Sequence, residues 1–387
     1  MTSDLFGLFE ALPDDQRGRW RALRAFAETR IQPGADEAWL AGRSQPGIAA
    51  AFSEVADELL FPGGFSWPPA DPLFAGLVKL ELGRVDASAA SFYGVHVGLA
   101  MACIEVFGSP AQRERWIGSM SRFEQIGSFS LSEPGAGSDV ARGLGCMARR
   151  TADGWVLNGQ KKWSGNAPIA DVHVVIARTA EDGVVHGFLV ERDAPGLVVD
   201  PIEDKISKRG VDNATLTLEA CAVSESSRLP GIGRFGDVSR ALAIGRSAVS
   251  FEALGIAMGA YEAALDYAQK RQQFGKPIAG FQLIQDKLVR MLAEITAMQC
   301  LCFRLAEISV QGEAAPEQPA LAKVVCGGGM RRVVSLAREV LGGNGILLEH
   351  GVARHFADAE AVYSYEGTQD INTLIVGRHI TGLGAFV

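Results

Sequence analysis

The run Val172-His-Val-Val-Ile-Ala (172–177) decides the fold class. It is short, rich in β-branched residues and closely followed by turn chemistry, and four more runs resemble it. These are Trp155-Val-Leu (155–157), Gly187-Phe-Leu-Val (187–190), Leu197-Val-Val (197–199) and Ala214-Thr-Leu-Thr-Leu (214–218). Asp153-Gly154, Asn158-Gly159, Asp182-Gly183 and Pro195-Gly196 separate them. Many short strands with no helical pattern between them indicate an antiparallel barrel or sandwich, not an alternating strand–helix nucleotide fold.

Outward from this stretch the period changes to that of a helix. Upstream, Trp20, Leu23, Ala27 and Ile31 recur at steps of three and four, and Pro33-Gly34 is expected to stop that helix. Residues 61–69, Phe-Pro-Gly-Gly-Phe-Ser-Trp-Pro-Pro, read as a loop. Leu73–Leu82 and Ser88–Phe107 read as helices, the second apolar nearly all round and therefore central. Downstream, Phe281, Ile284, Leu288, Met291, Ile295, Met298, Cys302 and Leu305 form a narrow apolar seam, the mark of bundle packing. Gly327-Gly328-Gly329 falls inside the next helical pattern, at a cost of about 1 kcal/mol per glycine relative to Ala. Either the helix is interrupted there or another backbone packs very close. The expected class is α+β, mainly α: an N-terminal helical domain (1–124), a middle antiparallel β-barrel or sandwich domain (125–229) and a C-terminal helical bundle (230–387).

Composition narrows the function. With 387 residues, 48% hydrophobic and 21% charged, the chain is too apolar to be generally disordered. Its net charge of −8, with Lys and Arg scattered, offers no electrostatic basis for binding nucleic acid. The six cysteines lack framework spacing and read as reduced, mostly buried thiols of a cytoplasmic protein. Met1–Arg30 lacks the pattern of a signal peptide. Ala87–Ile104 carries no formal charge, but it includes Ser88, Ser91, Tyr93 and His96 and is read as a buried helix, not a membrane span of about 20 strongly apolar residues. His350 and His355 are five apart, and Cys300 and Cys302 two apart, so neither pair shares a helical face. They are read as surface histidines and structural cysteines, with no metal site.

Four stretches could carry chemistry. Glu133-Pro-Gly-Ala-Gly-Ser-Asp leaves the β-type run Phe129-Ser-Leu-Ser. It is either a simple β-turn or a nest of backbone N–H groups for an anionic or carbonyl-rich ligand. Arg271-Gln-Gln-Phe-Gly-Lys-Pro ends a long helix. Arg271 can stabilise the helix C-terminus and Gly275 can cap it, or Arg271 can contact a phosphate. Leu341-Gly-Gly-Asn-Gly-Ile reads first as a helix C-cap and turn. In Tyr365-Glu-Gly-Thr-Gln-Asp, Glu366 is either a solvated loop acid or a desolvated base with a raised pKa.

Taken together and in this order, the motifs resemble the acyl-CoA dehydrogenase family over nearly the whole chain. They are Phe-Ser-Leu-Ser-Glu-Pro-Gly-Ala-Gly-Ser-Asp (129–139), Leu-Asn-Gly-Gln-Lys-Lys-Trp (157–163), Arg-Gln-Gln-Phe-Gly (271–275), Leu-Gly-Gly-Asn-Gly (341–345) and Tyr-Glu-Gly-Thr (365–368). Glu-Leu-Gly-Arg-Val-Asp (81–86), Gly-Phe-Leu-Val-Glu (187–191) and residues 365–382 look most like the glutaryl-CoA dehydrogenase branch. The resemblance implies a C-terminal four-helix bundle, a homotetramer, FAD, an acyl-CoA substrate and an electron-transfer flavoprotein as acceptor.

By position, the resemblance makes Glu366 the catalytic base. Phe129, Leu131, Ser132, Trp163, Ser164 and Gly165 would border the flavin. Arg271, Phe274 and Gln282 would hold the FAD of a neighbouring subunit, Gly342 and Gly343 would receive its adenosine end, and Thr368 would lie near the pyrophosphate. Ser138, Arg246 and Arg378 would face the substrate. The implied reaction is α,β-dehydrogenation of an acyl-CoA to a trans-2-enoyl-CoA. The readings set beside it are a carrier-protein-linked dehydrogenase, other flavin chemistry on the same fold, and a non-catalytic helical scaffold.

Three positions depart from the pattern. Gly165 stands where the family has a threonine, and Ser164 is the candidate to compensate. Ala243 stands where many members have Asp or Asn. Ala90 stands where glutaryl-CoA dehydrogenases place the arginine that pairs with the distal carboxylate. A buried carboxylate without a cation is costly, so an uncharged short or branched acyl group is expected instead of glutaryl.

Overall fold

The structure, a computed structural model, describes residues 3–312 and 314–385, apart from the side chains of residues 241, 243 and 244. Ala243, one of the three departures, therefore has a side chain outside the described residues. The N-terminal part comprises α1 (Asp14–Phe26), α2 (Ala35–Ala41), α3 (Ile48–Ser53), α4 (Pro72–Val85), α5 (Ala87–Tyr93), α6 (Ala102–Phe107) and α7 (Pro110–Ser121). Trp20, Leu23, Ala27 and Ile31 are all buried, as their spacing requires. Pro33-Gly34 does not end the helical path, however. It tightens into one 3-10 turn (Gln32–Gly34) and resumes at Ala35, because proline is tolerated in the first turn, where its missing N–H has no partner to lose. Between α5 and α6 the helix continues as a π-helical segment, Gly94–Met101. Ala87–Phe107 and the later helix Phe235–Lys270 are each long and apolar enough to cross a membrane, yet both are mostly buried inside the protein.

The middle part is one sheet of eight strands: β1 (Gly127–Ser130), β2 (Met147–Arg150), β3 (Gly154–Gly165), β4 (Val172–Thr179), β5 (Val185–Glu191), β6 (Leu197–Pro201), β7 (Asn213–Ser224) and β8 (Arg228–Leu229). The order is β6-β7-β3-β1-β4-β5-β8, with β2 bridging β3 and β4. It departs from a purely antiparallel arrangement, because β1 and β2 both run parallel to β4. Strand β4 shows why its run is unbroken in the sequence: Val172, Val174 and Ile176 enter the large helical core, while Val175 and Ala177 enter a second core on the other face. Both faces are covered, so both alternating sets are apolar.

Beyond the four-residue helix α8 (Val140–Gly143), the C-terminal part comprises α9 (Phe235–Lys270), a hairpin of β9 (Gln272–Gln273) and β10 (Lys276–Pro277), α10 (Gln282–Gln311), α11 (Glu317–Val340), α12 (Val352–Ser364) and α13 (Gln369–Thr381). Helix α11 contacts α9, α10, α12 and α13. It runs unbroken through Gly327-Gly328-Gly329, and what approaches is side chain, not backbone. A Cβ on Gly329 would meet Met298 Sδ at 2.6 Å, and one on Gly327 would meet Gln369 Oε1 at 3.2 Å. Gly275 does not cap α9; with Phe274 (φ 52°) and its own φ of 78° it forms the hairpin turn. All six cysteines are free and five are buried, whereas Cys300 is exposed. His355 is buried, contrary to its reading as a surface residue, and lies against α9 at Gly259.

Helices α4 and α9 cross at backbone contact. A Cβ on Gly255 would lie 2.0 Å from Leu80 O, and one on Gly259 would lie 2.1 Å from Arg84 O. Gly255→Ala should therefore destabilise the fold by about 1–3 kcal/mol or more, read as a fall in the urea midpoint. Gly18→Ala is the contrast, because a Cβ there on exposed α1 meets nothing. It should raise stability by about 1 kcal/mol.

Candidate active site

Glu366 sits in the loop between α12 and α13, in the left-handed region at φ 54°, followed by Gly367 at φ 81°. For a residue with a side chain this conformation costs about 1–3 kcal/mol and persists only where the surroundings hold it. Here they do. Thr368 caps α13, its Oγ1 accepting from Ile371 N at 3.2 Å. The buried Asn372 donates through Nδ2 to Gly367 O at 2.9 Å and Thr368 O at 3.0 Å. Gln369 Nε2 donates to Val324 O on α11 at 2.8 Å, and Lys323 Nζ donates to Tyr363 O at 2.6 Å. On the other side of the carboxylate, Tyr365 OH donates to Glu252 Oε1 at 2.6 Å.

The loop aims the Glu366 carboxylate at α9. Its Oε2 is buried without a hydrogen-bond partner, and a Cβ on Gly245 would sit 3.0 Å from it. Burial pushes its pKa up, and the nearby Glu252 carboxylate adds to this; the Arg246, Lys79 and Lys323 cations pull the other way without cancelling it. Arg246 lies one residue along α9, and its Nε is likewise buried and unpartnered. A carboxylate with no fixed partner and a raised pKa can accept a proton from carbon.

The opposite wall comes from the helix through Gly94–Met101 and from the sheet. Ser91, Gly94, Val95 and Gly98 are the half-exposed stripe of an otherwise buried helix. Ser91 Oγ lies 3.5 Å from Tyr365 OH, and Val95 Cγ2 would be 2.8 Å from a Cβ on Gly165. Val95 therefore fills the space a side chain at 165 would need. Ser164 does not compensate for Gly165: its buried hydroxyl is turned into the sheet against Ser130 Oγ at 2.8 Å. Phe129 pairs with Gly165 across β1 and β3 and is buried with Leu131, and Ser132 is half-buried at the end of β1. Trp163, at φ 66°, leaves its ring 55% exposed beside them.

The loop after β1 contains the turn that was one of its two sequence readings. Glu133 and Ala136 form a bridge, so a turn is present. Beyond it Gly135, Gly137, Ser138 and Asp139 are exposed. Glu133 holds the loop down, accepting from Gly145 N at 2.6 Å, Cys146 N at 2.9 Å and the fully buried Lys161 Nζ at 2.7 Å.

Other sequence-predicted residues lie elsewhere. Arg271, Phe274 and Gln282 are exposed around the hairpin, and Phe274 is 93% exposed. Gly342 and Gly343 are exposed near the same end of α9, where Asn344 Nδ2 donates to Tyr267 OH at 2.9 Å. At 1.5 Å per residue, the 25 residues from Arg246 to Arg271 span about 37 Å of α9. The chain thus carries two separate clusters. Arg378 joins neither: it is exposed in the last turn of α13, about 14 Å along the helix from its start.

Sequence reasoning missed Lys79, Glu252 and Lys208. Glu252 is fully buried and pairs with Lys79 Nζ at 2.6 Å and Lys208 Nζ at 2.5 Å. The available signal was a lone acid and a lone base, each inside an apolar helical run: Ser250-Phe-Glu-Ala-Leu and Leu77-Val-Lys-Leu.

Comparison with known proteins agrees with this arrangement. Residues 13–124, 128–221 and 235–381 match the N-terminal, middle and C-terminal domains of acyl-CoA dehydrogenase. The human mitochondrial short-chain specific acyl-CoA dehydrogenase is 33% identical over 381 residues, covering 95% of this chain and 90% of that protein. A glutaryl-CoA dehydrogenase from Mycobacterium smegmatis is 36% identical with a TM-score of 0.94, covering 100% of this chain and 99% of that one. A glutaryl-CoA dehydrogenase from the same organism, solved in complex with FADH2, is 31% identical with the same TM-score and coverage.

The raised pKa of Glu366 has a measurable consequence for stability. The fold favours the protonated carboxyl, so the stability contributed by this group is full below its ordinary pKa of about 4.3 and is lost as pH rises through the higher folded value. Glu366→Gln removes this dependence. Its Tm relative to wild type should therefore be higher at pH 8 than at pH 4, and a difference that stays constant with pH would contradict the desolvation of this carboxylate.

Proposed function

The chain belongs to the acyl-CoA dehydrogenase family of flavin-dependent oxidoreductases, and on that premise we propose that it oxidises a short or branched, uncharged acyl-CoA to the trans-2-enoyl-CoA. The observation that carries the proposal is the Glu366 carboxylate, buried at Oε2, unpartnered and held in a strained conformation. Its role is to take the proton from the α-carbon. A base for so weak an acid must be desolvated and oriented before substrate arrives; the burial of Oε2 supports the first and the clamp on Gly367 and Thr368 the second.

FAD is the cofactor this reading requires, and when bound it supplies the acceptor for the β-hydride. The chain's surface suits it. The half-exposed Trp163 ring, the buried edge of Phe129 and Leu131, and Ser132 offer a flat apolar face with a polar end. The second cluster, Arg271, Phe274, Gln282, Gly342 and Gly343, is too far along α9 to serve the same flavin. It therefore suits the FAD of a second copy, which favours an oligomer; the homotetramer proposed here is the form the family resemblance implies. Thr368, beside Glu366 in the first cluster, would hold the pyrophosphate on this reading. Ser138 and Arg246 are the proposed substrate contacts on this reading, and the exposed Arg378, which joins neither cluster, is supported as a substrate contact by the resemblance alone. An electron-transfer flavoprotein is the proposed electron acceptor and the cytoplasm the proposed setting.

The uncharged acyl group follows from position 90. Ala90 is buried, and Lys79, which donates through Nζ to Ala90 O at 2.6 Å, is already paired with Glu252.

The deciding experiment is anaerobic bleaching of the flavin by a panel of acyl-CoAs, in which neutral short chains should bleach and glutaryl-CoA should not. Glu366→Gln should keep its flavin and lose turnover by about 10²–10⁴-fold or more. Near-native turnover would remove Glu366 as the base. Arg271→Ala should lower the flavin content of the purified protein, and unchanged occupancy would count against a phosphate contact there.

A further inference from the structure

Behind the Glu366 loop lies a buried charge cluster that proton abstraction does not use. Glu252 accepts from three groups: Lys79 from α4, Lys208 from the loop joining β6 to β7, and Tyr365 from the residue before the base. Lys79 also donates to Ala90 O at 2.6 Å, and Lys208 donates to Ala87 O. Each ammonium is therefore tied to one carboxylate and one main-chain carbonyl. The cluster is satisfied internally and makes a polar but saturated wall.

Its position gives it a use. The half-exposed stripe opposite Glu366 runs from Val95, against Gly165, back to Ser91, against Tyr365, about one helical turn or 5.4 Å. Gly94 lies between them, and a Cβ there would stand 2.6 Å from Lys79 Nζ. The missing side chain thus leaves a window in the wall, and Lys79 closes it from behind. Lys79 is 5% exposed, while Glu252 is not exposed at all.

We infer that Lys79, seated on Glu252 behind Gly94, is the end stop of the acyl pocket and confines the enzyme to short acyl chains. The inference rests on the dehydrogenase reading and adds the residue that sets chain length. An acyl group whose α-carbon lies at Glu366 and whose β-carbon faces the Gly165 side extends along this stripe toward Ser91 and Tyr365. A short apolar tail ends at the window without disturbing any hydrogen bond. A longer one must displace an ammonium that is ion-paired and out of water, which is strongly unfavourable.

Because two lysines share one carboxylate, Lys79 can be removed while Glu252 keeps Lys208 and Tyr365. Lys79→Ala is therefore the informative variant, and Lys79→Met, which keeps the length but not the charge, is its companion. The measurement is kcat/KM for butyryl-, hexanoyl- and octanoyl-CoA on the FAD-loaded enzymes. Lys79→Ala should raise the octanoyl-to-butyryl ratio at least tenfold over wild type, and Lys79→Met, which still fills the window but has no ion pair to break, should raise it by less. Gly94→Ala, whose Cβ crowds Lys79 Nζ, should lower the hexanoyl-to-butyryl ratio; it provides an independent arm if Lys79→Ala does not fold. A purely structural role would depress all three substrates in parallel in every variant, and that result overturns the inference while leaving the dehydrogenase reading intact. A wild-type enzyme that holds FAD and oxidises none of these thioesters overturns both.

Discussion

Everything in the structure converges on the Glu252 carboxylate. It is fully buried in α9, and its three partners come from the three parts of the chain: Lys79 from the N-terminal helices, Lys208 from the sheet region and Tyr365 from the C-terminal bundle. Burial alone would raise its pKa, yet Lys208 and Lys79 hold it down to about 2, so Glu252 stays ionised. A buried ion pair contributes little net stability compared with a well-packed apolar alternative, but losing one partner is expensive. Its value here is therefore geometric. It fixes which faces of α4, of the loop after β6 and of the Tyr365-Glu366 loop meet, and so places the Glu366 carboxylate.

That arrangement depends on a close crossing of α4 and α9. Gly255 and Gly259 allow the α9 backbone to approach Leu80 O and Arg84 O, and Gly83 would meet Glu252 O at 2.8 Å if it carried a Cβ. The same proximity lets Arg84 reach across to Glu262 at 3.1 Å while pairing with Glu81 at 2.7 Å. Small residues set the helix separation, and the short separation lets buried charges from different helices neutralise each other. Bulk at the crossing would push the helices apart and strand these charges, which is the costlier part of the damage.

Much of the fold was legible because each element carries its own period. Residues 172–177 read as strand, and 281–305 as a helix seam; Leu288, Met291, Ile295, Met298, Cys302 and Leu305 are indeed buried in α10. Strand direction was not legible: alternation along β1 says which face is buried, not whether β4 runs parallel to it. Pro33-Gly34 also misled, since a local breaker signal cannot say whether the chain resumes the helix one turn later. In the site, the burial of Glu366 follows one of its two sequence readings, but Lys79 and Glu252 gave no comparable signal. They lie far apart in sequence, and each alone looks like a stray charge in an apolar helix. Gly165 was read as a lost hydroxyl, whereas the structure shows an occupied space, with Val95 from a distant helix filling what a side chain there would take.

The charges around Glu366 bear directly on what the base can do. Lys79 is neutralised by Glu252, and Lys323 is tied to Tyr363 O, so the near cation least committed is Arg246, whose Nε has no partner. With Glu366 ionised, the two form a close but unbonded pair of opposite charges. In the proposed reaction the carboxylate would take a proton from carbon, and its negative charge would pass to the thioester oxygen of the substrate. Arg246 and Lys323 stay where they are, held by α9 and α11, so their field would already be in place for the new anion. Little reorganisation is then needed at the moment of transfer, which is the condition under which fixed charges lower a barrier most. The strained loop at Glu366 is thus best understood as the cost of holding a base within that field without letting it bond to any of the cations that create it.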